Sequence, residues 1–86
     1  MGKYRVLLPG FARRQLRALS PDVVSRILHR LDELEEDPFR YIEGKLQGEE
    51  GFKTKVGDYR VTFVIDTERR EVIIARIGHR RDVYDR

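Results

Sequence analysis

Lysine and arginine face each other across a short hairpin in the middle of the chain. Two β-rich runs flank Gly57-Asp58, which is typical of a two-residue hairpin loop. Such a loop sets the register, so Lys55 lies opposite Arg60 and Lys53 lies two residues along on the same face. Like charges in opposed positions destabilise a strand pair by roughly a few tenths of a kcal/mol, so stability does not select this arrangement. Crowded cations on a sheet can hold a phosphodiester or a carboxylate, although their long stems could also splay into water.

A second polar cluster lies near the C-terminal end of the chain. It contains a histidine, two arginines and a tyrosine, at His79, Arg80, Arg81 and Tyr84. A tyrosine among arginines is typical of a nucleic-acid site, where the ring stacks on a base while guanidinium groups hold phosphate. The alternative is a terminal aromatic ring that only packs, with Asp82 as an ion-pair partner of the neighbouring arginines. One further cation, Arg76, lies inside an apolar strand and has no explanation from the sequence.

The elements that must position these residues follow from hydrophobic periodicity and from turn residues. Strands are predicted at 3–8, 52–56, 59–66 and 71–77, with a polar connecting loop over 39–51. A first helix begins at Phe11 and a second spans about 21–36, with Ser20 as its N-cap side chain and Pro21 at its first position. The positions predicted by helical spacing to face a core are Phe11, Ala12, Leu16 and Leu19, then Val24, Ile27, Leu28, Leu31 and Leu34 or Glu35. We therefore predict an α+β fold, β-α-α-β-β-β, with a helical hairpin packed on an antiparallel sheet, in which the place of the first strand is open.

Composition bounds the class of protein. The chain has 86 residues, of which 40% are hydrophobic and 38% charged, so we expect one small folded domain over 1–86. There is no cysteine, which excludes disulfides, thiolate metal ligands and a cysteine nucleophile. A secreted domain this small would usually need disulfides, so we expect a cytoplasmic location. No apolar run approaches the ~18 residues of a membrane span, so we expect no membrane contact.

The net charge of +3 conceals a strong separation of charge along the chain. Residues 1–31 carry seven Lys and Arg against one acid, whereas residues 32–51 carry eight acids against two bases. Residues 52–86 carry nine bases against six acids. A basic face of this kind indicates a site for phosphates or for an acidic partner, although an ordinary solvated surface would also account for it.

Taken together, three motifs resemble the RelE branch of the RelE/ParE toxin superfamily. They are Lys45-Leu46-x-Gly48, Phe52-Lys-x-Lys55-x-Gly57-x-Tyr59-Arg60-Val61 and Ile77-Gly78-His79-Arg80-Arg81-Asp82-Val83-Tyr84. The resemblance implies a RelE-like fold and the toxin of a type II toxin-antitoxin system. Such a toxin is a metal-independent endoribonuclease that enters the ribosomal A site and cuts messenger RNA, which inhibits translation. No cofactor is implied.

The resemblance also implies roles for individual residues. The catalytic candidates are Lys53, Lys55, Arg60, Arg80, Tyr84 and His79, and the RNA-binding candidates are Lys45 and Arg81. The ribose 2′-hydroxyl would attack the adjacent phosphorus, with Lys53 or Lys55 as proton acceptor and the arginines holding phosphate. Two departures from the family pattern are His79, where a lysine is expected, and a shorter spacing from Arg80 to Tyr84. His79 could donate a proton to the leaving 5′-oxygen or simply bond the end of the sheet.

The implied partners are a RelB-like antitoxin, the ribosome and messenger RNA, with operator DNA bound only through the antitoxin complex. Two alternatives remain open from the sequence. One is a ParE-like protein that poisons gyrase and cuts no RNA. The other is a non-catalytic RNA-binding or ribosome-bound module, in which the cations grip phosphate and do nothing more.

Overall fold

The computed structural model describes residues 3–46, 48 and 50–82, and within them the elements follow the predicted order. The strands are β1 (Arg5–Leu7), β2 (Phe52–Val56), β3 (Tyr59–Asp66) and β4 (Glu71–His79). The helices are α1 (Gly10–Arg17) and α2 (Pro21–Glu36), and a short 3-10 helix covers Pro38–Tyr41. The α+β fold with two helices on a four-stranded sheet is therefore confirmed.

Helix α2 begins at Pro21 and ends at Glu36, as the sequence predicts. Pro21 favours the first helical position because its ring sets φ near the helical value and its missing N–H needs no partner there. The predicted side-chain cap by Ser20 is wrong, since the Ser20 side chain makes no capping bond. The Ser20 carbonyl instead accepts the Val24 N–H at 2.9 Å, so the backbone alone starts the helix.

The buried stripe of α2 is rotated from the predicted one. Val23 lies in the core, whereas Leu28, predicted to be buried, is 45% exposed. In α1, Phe11 is likewise 55% exposed. Because α1 packs on β4 and α2 contacts both β1 and β2, the neighbouring strands decide which side chains are buried. Buried helix residues are Ala12 and Leu16 in α1 and Val23, Ile27, Leu31 and Leu34 in α2.

The sheet has the order β1-β4-β3-β2 and is mixed. The three C-terminal strands pair antiparallel, as predicted, but β1 pairs parallel with β4, with Val6 beside Val72. The prediction of an antiparallel sheet is therefore wrong for β1. Parallel neighbours need a long crossover, and the helical hairpin and the β2–β3 hairpin, which lie between β1 and β4 in the chain, supply it.

The predicted loop 39–51 is more structured than its composition indicates. After the 3-10 helix, the Glu43 N–H donates to the Lys53 carbonyl and the Lys53 N–H donates to the Gly44 carbonyl, both at 2.8 Å. An isolated bridge between Lys45 and Phe52 extends this contact. At Phe52 and Lys53 the outer edge of β2 is therefore occupied by the chain's own backbone.

No helix among residues 3–46, 48 and 50–82 is long and apolar enough to cross a membrane. The helices instead cover one face of the sheet, where Phe63, Val61, Ile74 and Ile77 are at most 1% exposed. Neither α1 nor α2 covers the opposite face of the sheet, which carries the cations described below.

The rotation of α2 generates a matched pair of stability predictions. Leu34→Ala removes a side chain that is 0% exposed, so we expect a loss of about 2–5 kcal/mol in the free energy of unfolding. Leu28→Ala in the same helix removes a side chain that is 45% exposed and should cost about 0.5 kcal/mol or less. Urea unfolding of both variants measures the difference, and equal losses would contradict the observed rotation of the helix.

Candidate functional site

The predicted register of the β2–β3 hairpin is confirmed and brings the cations to the open face. Lys55 pairs with Arg60 and Lys53 pairs with Thr62. The intervening Thr54 and Val56 are buried on the helix side, which leaves Lys53 and Lys55 on the opposite side. Lys55 is exposed and Arg60 is half-buried, so both side chains lie at the surface of a strand pair whose other face is core.

A bulge in β4 adds a cation that sequence reasoning missed. Thr62 pairs with Arg76, but its neighbour Phe63 pairs with Ile74, so Ala75 is an extra residue in β4. In a regular strand side chains alternate between the two faces, so Arg76 would point into the core like the buried Ile74. The extra residue shifts this alternation by one position, so that Arg76 points outward. Arg76 is exposed and shares a cross-strand row with Lys53 and Thr62. The signal in the sequence was an arginine inside an apolar strand, where a bulge would resolve the conflict.

Two arginines from different strands converge on the Gly57-Asp58 turn. Arg60 donates from Nη1 to the carbonyls of Gly57 and Tyr59, each at 3.0 Å. Arg80 donates its backbone N–H to the Asp58 carbonyl at 2.8 Å, and its Nη1 lies 3.9 Å from Asp58 Oδ1. Both side chains of that ion pair are more than 60% exposed, so the pair is weak and the Arg80 guanidinium remains accessible to an anion.

His79 lies on the other side of the sheet from the lysines. It pairs with Tyr59, and the two rings meet edge to face with centroids 5.4 Å apart. Its Nδ1 accepts the Arg81 backbone N–H at 3.3 Å and Arg81 Nε at 3.4 Å. The structure therefore does not bring His79 together with Lys55 and Arg60, and its contacts hold the turn that follows β4.

The two remaining candidates lie at the margins of the site. Lys45 is exposed and bridges to Phe52, one residue from Lys53, so it extends the basic surface past the outer edge of β2. Tyr84 lies outside the described residues. Among the residues that the structure describes, no group of three or more His, Asp or Glu side chains is arranged to hold a metal ion.

A network beneath β2 holds the strand to α2. Arg30 donates from Nε to Glu33 at 2.9 Å, and its guanidinium lies 4.8 Å from the centre of the Tyr41 ring. Tyr41 donates its hydroxyl to Glu33 at 3.0 Å. Arg30 Nη1 also lies 3.4 Å from Glu43, and its donors reach Thr54 and the backbone of β2. The network is the main polar contact between the helical layer and the strand that carries the lysines.

This network lowers the pKa of both glutamates. Burial opposes the change at Glu33, but hydrogen bonds from Arg30 and Tyr41 stabilise the carboxylate and bring its pKa below the usual 4.5. At Glu43 burial again opposes, and the Lys55 amide, the Thr54 hydroxyl and Arg30 lower the pKa. Both glutamates are therefore charged at neutral pH.

The geometry defines a class of chemistry. Cations from three strands lie on one face of the sheet, and the side chain of Arg80 beside them is 63% exposed. Preorganised cationic donors stabilise charge that develops on phosphoryl oxygens without reorganising during the reaction. The basic face is therefore suited to binding phosphate groups or another anionic partner.

Comparisons with known proteins identify the family of this chain. The family described as ParE toxin of type II toxin-antitoxin system, parDE, matches residues 11–84. Toxin RelG of Mycobacterium tuberculosis is 32% identical over 87 residues, covering 96% of this chain and 98% of that protein. The chain belongs to the RelE/ParE superfamily of type II toxin-antitoxin toxins.

Solved structures show the same fold. The RelBE2 toxin-antitoxin complex from Mycobacterium tuberculosis contains a chain that is 29% identical, with a TM-score of 0.82 over 91% of this chain and 99% of that one. The isolated E. coli RelE toxin is 26% identical, with a TM-score of 0.75 over 88% of this chain and 83% of that one. The helical hairpin and the mixed sheet are thus features of RelE structures.

The lowered glutamate pKa values predict how stability depends on pH. A carboxylate whose pKa is depressed in the folded state contributes stability above its unfolded pKa, near the usual 4.5, and this contribution is lost as pH falls through the folded pKa. When the pH is lowered from 7 to about 3, we expect the free energy of unfolding to fall less in Glu43→Gln than in the wild type. Urea unfolding across this range measures the slope. Glu68→Gln, in the exposed β3–β4 turn, is the control, and a Glu43→Gln profile parallel to the wild type would contradict the prediction.

Proposed function

We propose that this toxin is a ribosome-dependent endoribonuclease that cleaves messenger RNA in the A site and thereby inhibits translation in the cytoplasm. The observation that carries the proposal is the cationic face of the sheet. Pairing of β2 with β3 places Lys53, Lys55 and Arg60 on this face, and the backbone of Arg80 bonds to Asp58 in the turn between the two strands. Similarity to the isolated RelE toxin and to RelG supports it. The fold alone would not, because one fold hosts many functions.

The proposed reaction is an internal transesterification. The 2′-hydroxyl oxygen attacks the adjacent phosphorus, the bond to the 5′-oxygen breaks, and the products are a 2′,3′-cyclic phosphate and a free 5′-hydroxyl. Lys53 or Lys55 accepts the 2′-hydroxyl proton, and a protonated group of the site returns a proton to the leaving oxygen. Arg60 and Arg80 stay protonated and hold the phosphoryl oxygens as charge accumulates.

The other cations extend the binding surface for the messenger. Arg76 lies in the row beside Lys53, and Lys45 lies past the edge of β2, so both reach backbone phosphates on either side of the reacting one. Arg81 contacts RNA from the turn after β4. Tyr84 remains a proposed stacking residue for a base, and His79 positions the turn through its contacts with Tyr59 and Arg81.

A RelB-like antitoxin is the proposed regulatory partner. The M. tuberculosis RelBE2 structure is a toxin-antitoxin complex, and its toxin-like chain shares the fold of this one. Since the outer edge of β2 is occupied at Lys53, an antitoxin segment that covers Arg60 and Arg80, or displaces the turn after β4, fits better than strand addition at that edge. Operator DNA is bound through the antitoxin, so this chain alone should show no sequence-specific DNA binding.

Expression without a partner tests the reaction class. We expect translation to stop and messenger RNA to be cut within coding regions, because the cationic site acts on messenger in the A site. Sequencing of RNA 5′ ends after induction measures the cuts. Intact messenger together with accumulating DNA breaks would favour gyrase poisoning, a candidate that the match to the ParE family also raises. Arrested translation with intact messenger would favour a non-catalytic ribosome-binding module.

Substitution of the phosphate-holding arginines tests the site. Arg60→Ala and Arg80→Ala should each lower the cleavage rate by roughly 10²–10³-fold, about 3–4 kcal/mol of transition-state stabilisation, with the fold retained. Arg76→Ala should weaken RNA binding and reduce its salt dependence without abolishing cleavage. The control is Arg69→Ala, at an exposed position in the β3–β4 turn. Folded variants at Arg60 and Arg80 that cleave at the wild-type rate would overturn the assignment of the site.

A further inference from the structure

The backbone groups at the outer edge of β2 are hydrogen-bonded in two different ways, one at each lysine. At Lys53, backbone groups of residues 43 and 44 make the pairing, as described above. At Lys55 the neighbouring segment has turned away and side chains take over. Glu43 Oε1 accepts the Lys55 N–H at 2.5 Å, and Arg30 Nη1 donates to the Lys55 carbonyl at 3.1 Å. Both peptide groups of the lysine are thus held from outside the sheet.

The side chains that hold Lys55 are themselves fixed. Glu43 Oε1 also accepts the hydroxyl of Thr54 at 2.9 Å, and Arg30 donates to the oxygen of that hydroxyl. Thr54 is 0% exposed, so its hydroxyl has one orientation that serves both partners. The backbone of Lys55 is therefore connected to the core side of the strand through three side chains.

Gly44 controls the side chain of Lys53 in another way. A Cβ atom at residue 44 would lie 2.6 Å from Lys53 Cε and 3.2 Å from Lys53 Cγ. The aliphatic stem of the lysine thus runs directly over the glycine. Gly44 has no positive φ, so backbone conformation does not require glycine here. Glycine is needed instead because the Lys53 side chain fills the space that a Cβ atom at residue 44 would occupy.

We propose that Glu43 and Gly44, with Arg30, are positioning residues that set the orientation of Lys55 and Lys53 toward the scissile phosphate. The inference rests on the proposed ribonuclease function and extends it to residues that touch no substrate. The Glu43 side chain is 41% exposed, so its ion pair with Arg30 adds only a modest amount to stability. Its contacts do restrict geometry, and a displacement of about 1 Å at a reacting group can cost about 100-fold in rate.

A glycine substitution tests the placement of Lys53. Gly44→Ala should displace the flexible end of the lysine while the backbone stays in place, so we expect at least about a tenfold fall in single-turnover cleavage of A-site messenger. Ribosome affinity should stay within about twofold and the melting temperature within about 2 °C. Gly10→Ala is the matched control, because a Cβ there makes only an ordinary contact of 3.5 Å with Arg14. Unchanged cleavage in Gly44→Ala, or a fall matched by loss of folding, would overturn the inference.

A pair of glutamate substitutions tests the hold on Lys55. Glu43→Ala removes the acceptor of the Lys55 amide, whereas Glu43→Gln keeps an oxygen at that place. We expect the Lys55 amide to exchange with solvent at least about tenfold faster in Glu43→Ala, with protection and cleavage both recovering in Glu43→Gln. Equal exchange in wild type and Glu43→Ala would overturn the assignment, as would a failure of Glu43→Gln to restore either quantity in a folded protein.

These measurements separate this inference from the proposed function. If the wild type leaves A-site messenger intact, the ribonuclease proposal fails. The positioning of the lysines can then still be tested by NMR spectroscopy of the isolated protein. The Lys53 Cε signal should shift in Gly44→Ala and stay unchanged in Gly10→Ala. If it does not shift, the positioning of Lys53 by Gly44 is wrong whether or not the protein cleaves RNA.

Discussion

The tight turn at Gly57-Asp58 is the constraint on which the basic face depends. Gly57 has a φ of 61°, a conformation that glycine adopts without steric cost, and two residues suffice to reverse the chain. The turn sets which residues of β2 and β3 oppose each other, and a shift of one residue in β2 would turn Lys53 and Lys55 toward the core. Its carbonyls also receive Arg60 and the backbone of Arg80, so the end of β4 is joined to the same point.

The rest of the fold makes that face rigid. The helices cover only one side of the sheet, which keeps Thr54, Val56 and Val61 buried and leaves the alternate positions to face outward. Repulsion between Lys55 and Arg60 opposes the strand pairing, and the apolar pairs on the other face offset it. The contacts of Arg30 and Glu43 add a second anchor for β2, so the strand is held on both edges while its lysines remain at the surface.

Much of the fold could be predicted because local chemistry decides it. Pro21 set the start of α2, and the hairpin loop determined the β2–β3 register, both of which are confirmed. The errors arose where distant elements meet. Leu28 fits the helical period yet lies at the surface, because α2 is oriented by β1 and β2 rather than by its own apolar residues. The parallel pairing of β1 with β4 is a contact between segments 66 residues apart, which no local pattern reports.

For the site, the sequence by itself determined which cations share a face of the hairpin, since a two-residue loop leaves one register for Lys53, Lys55 and Arg60. Family resemblance, not periodicity, associated these residues with RNA cleavage, and their roles remain predictions. Only the tertiary structure decided that Arg76 joins them and that His79 does not, because a bulge in β4 reverses the alternation of the strand. Such a bulge depends on pairing with β3 and on burial of Ile77 beneath the helices, and both are properties of the assembled fold.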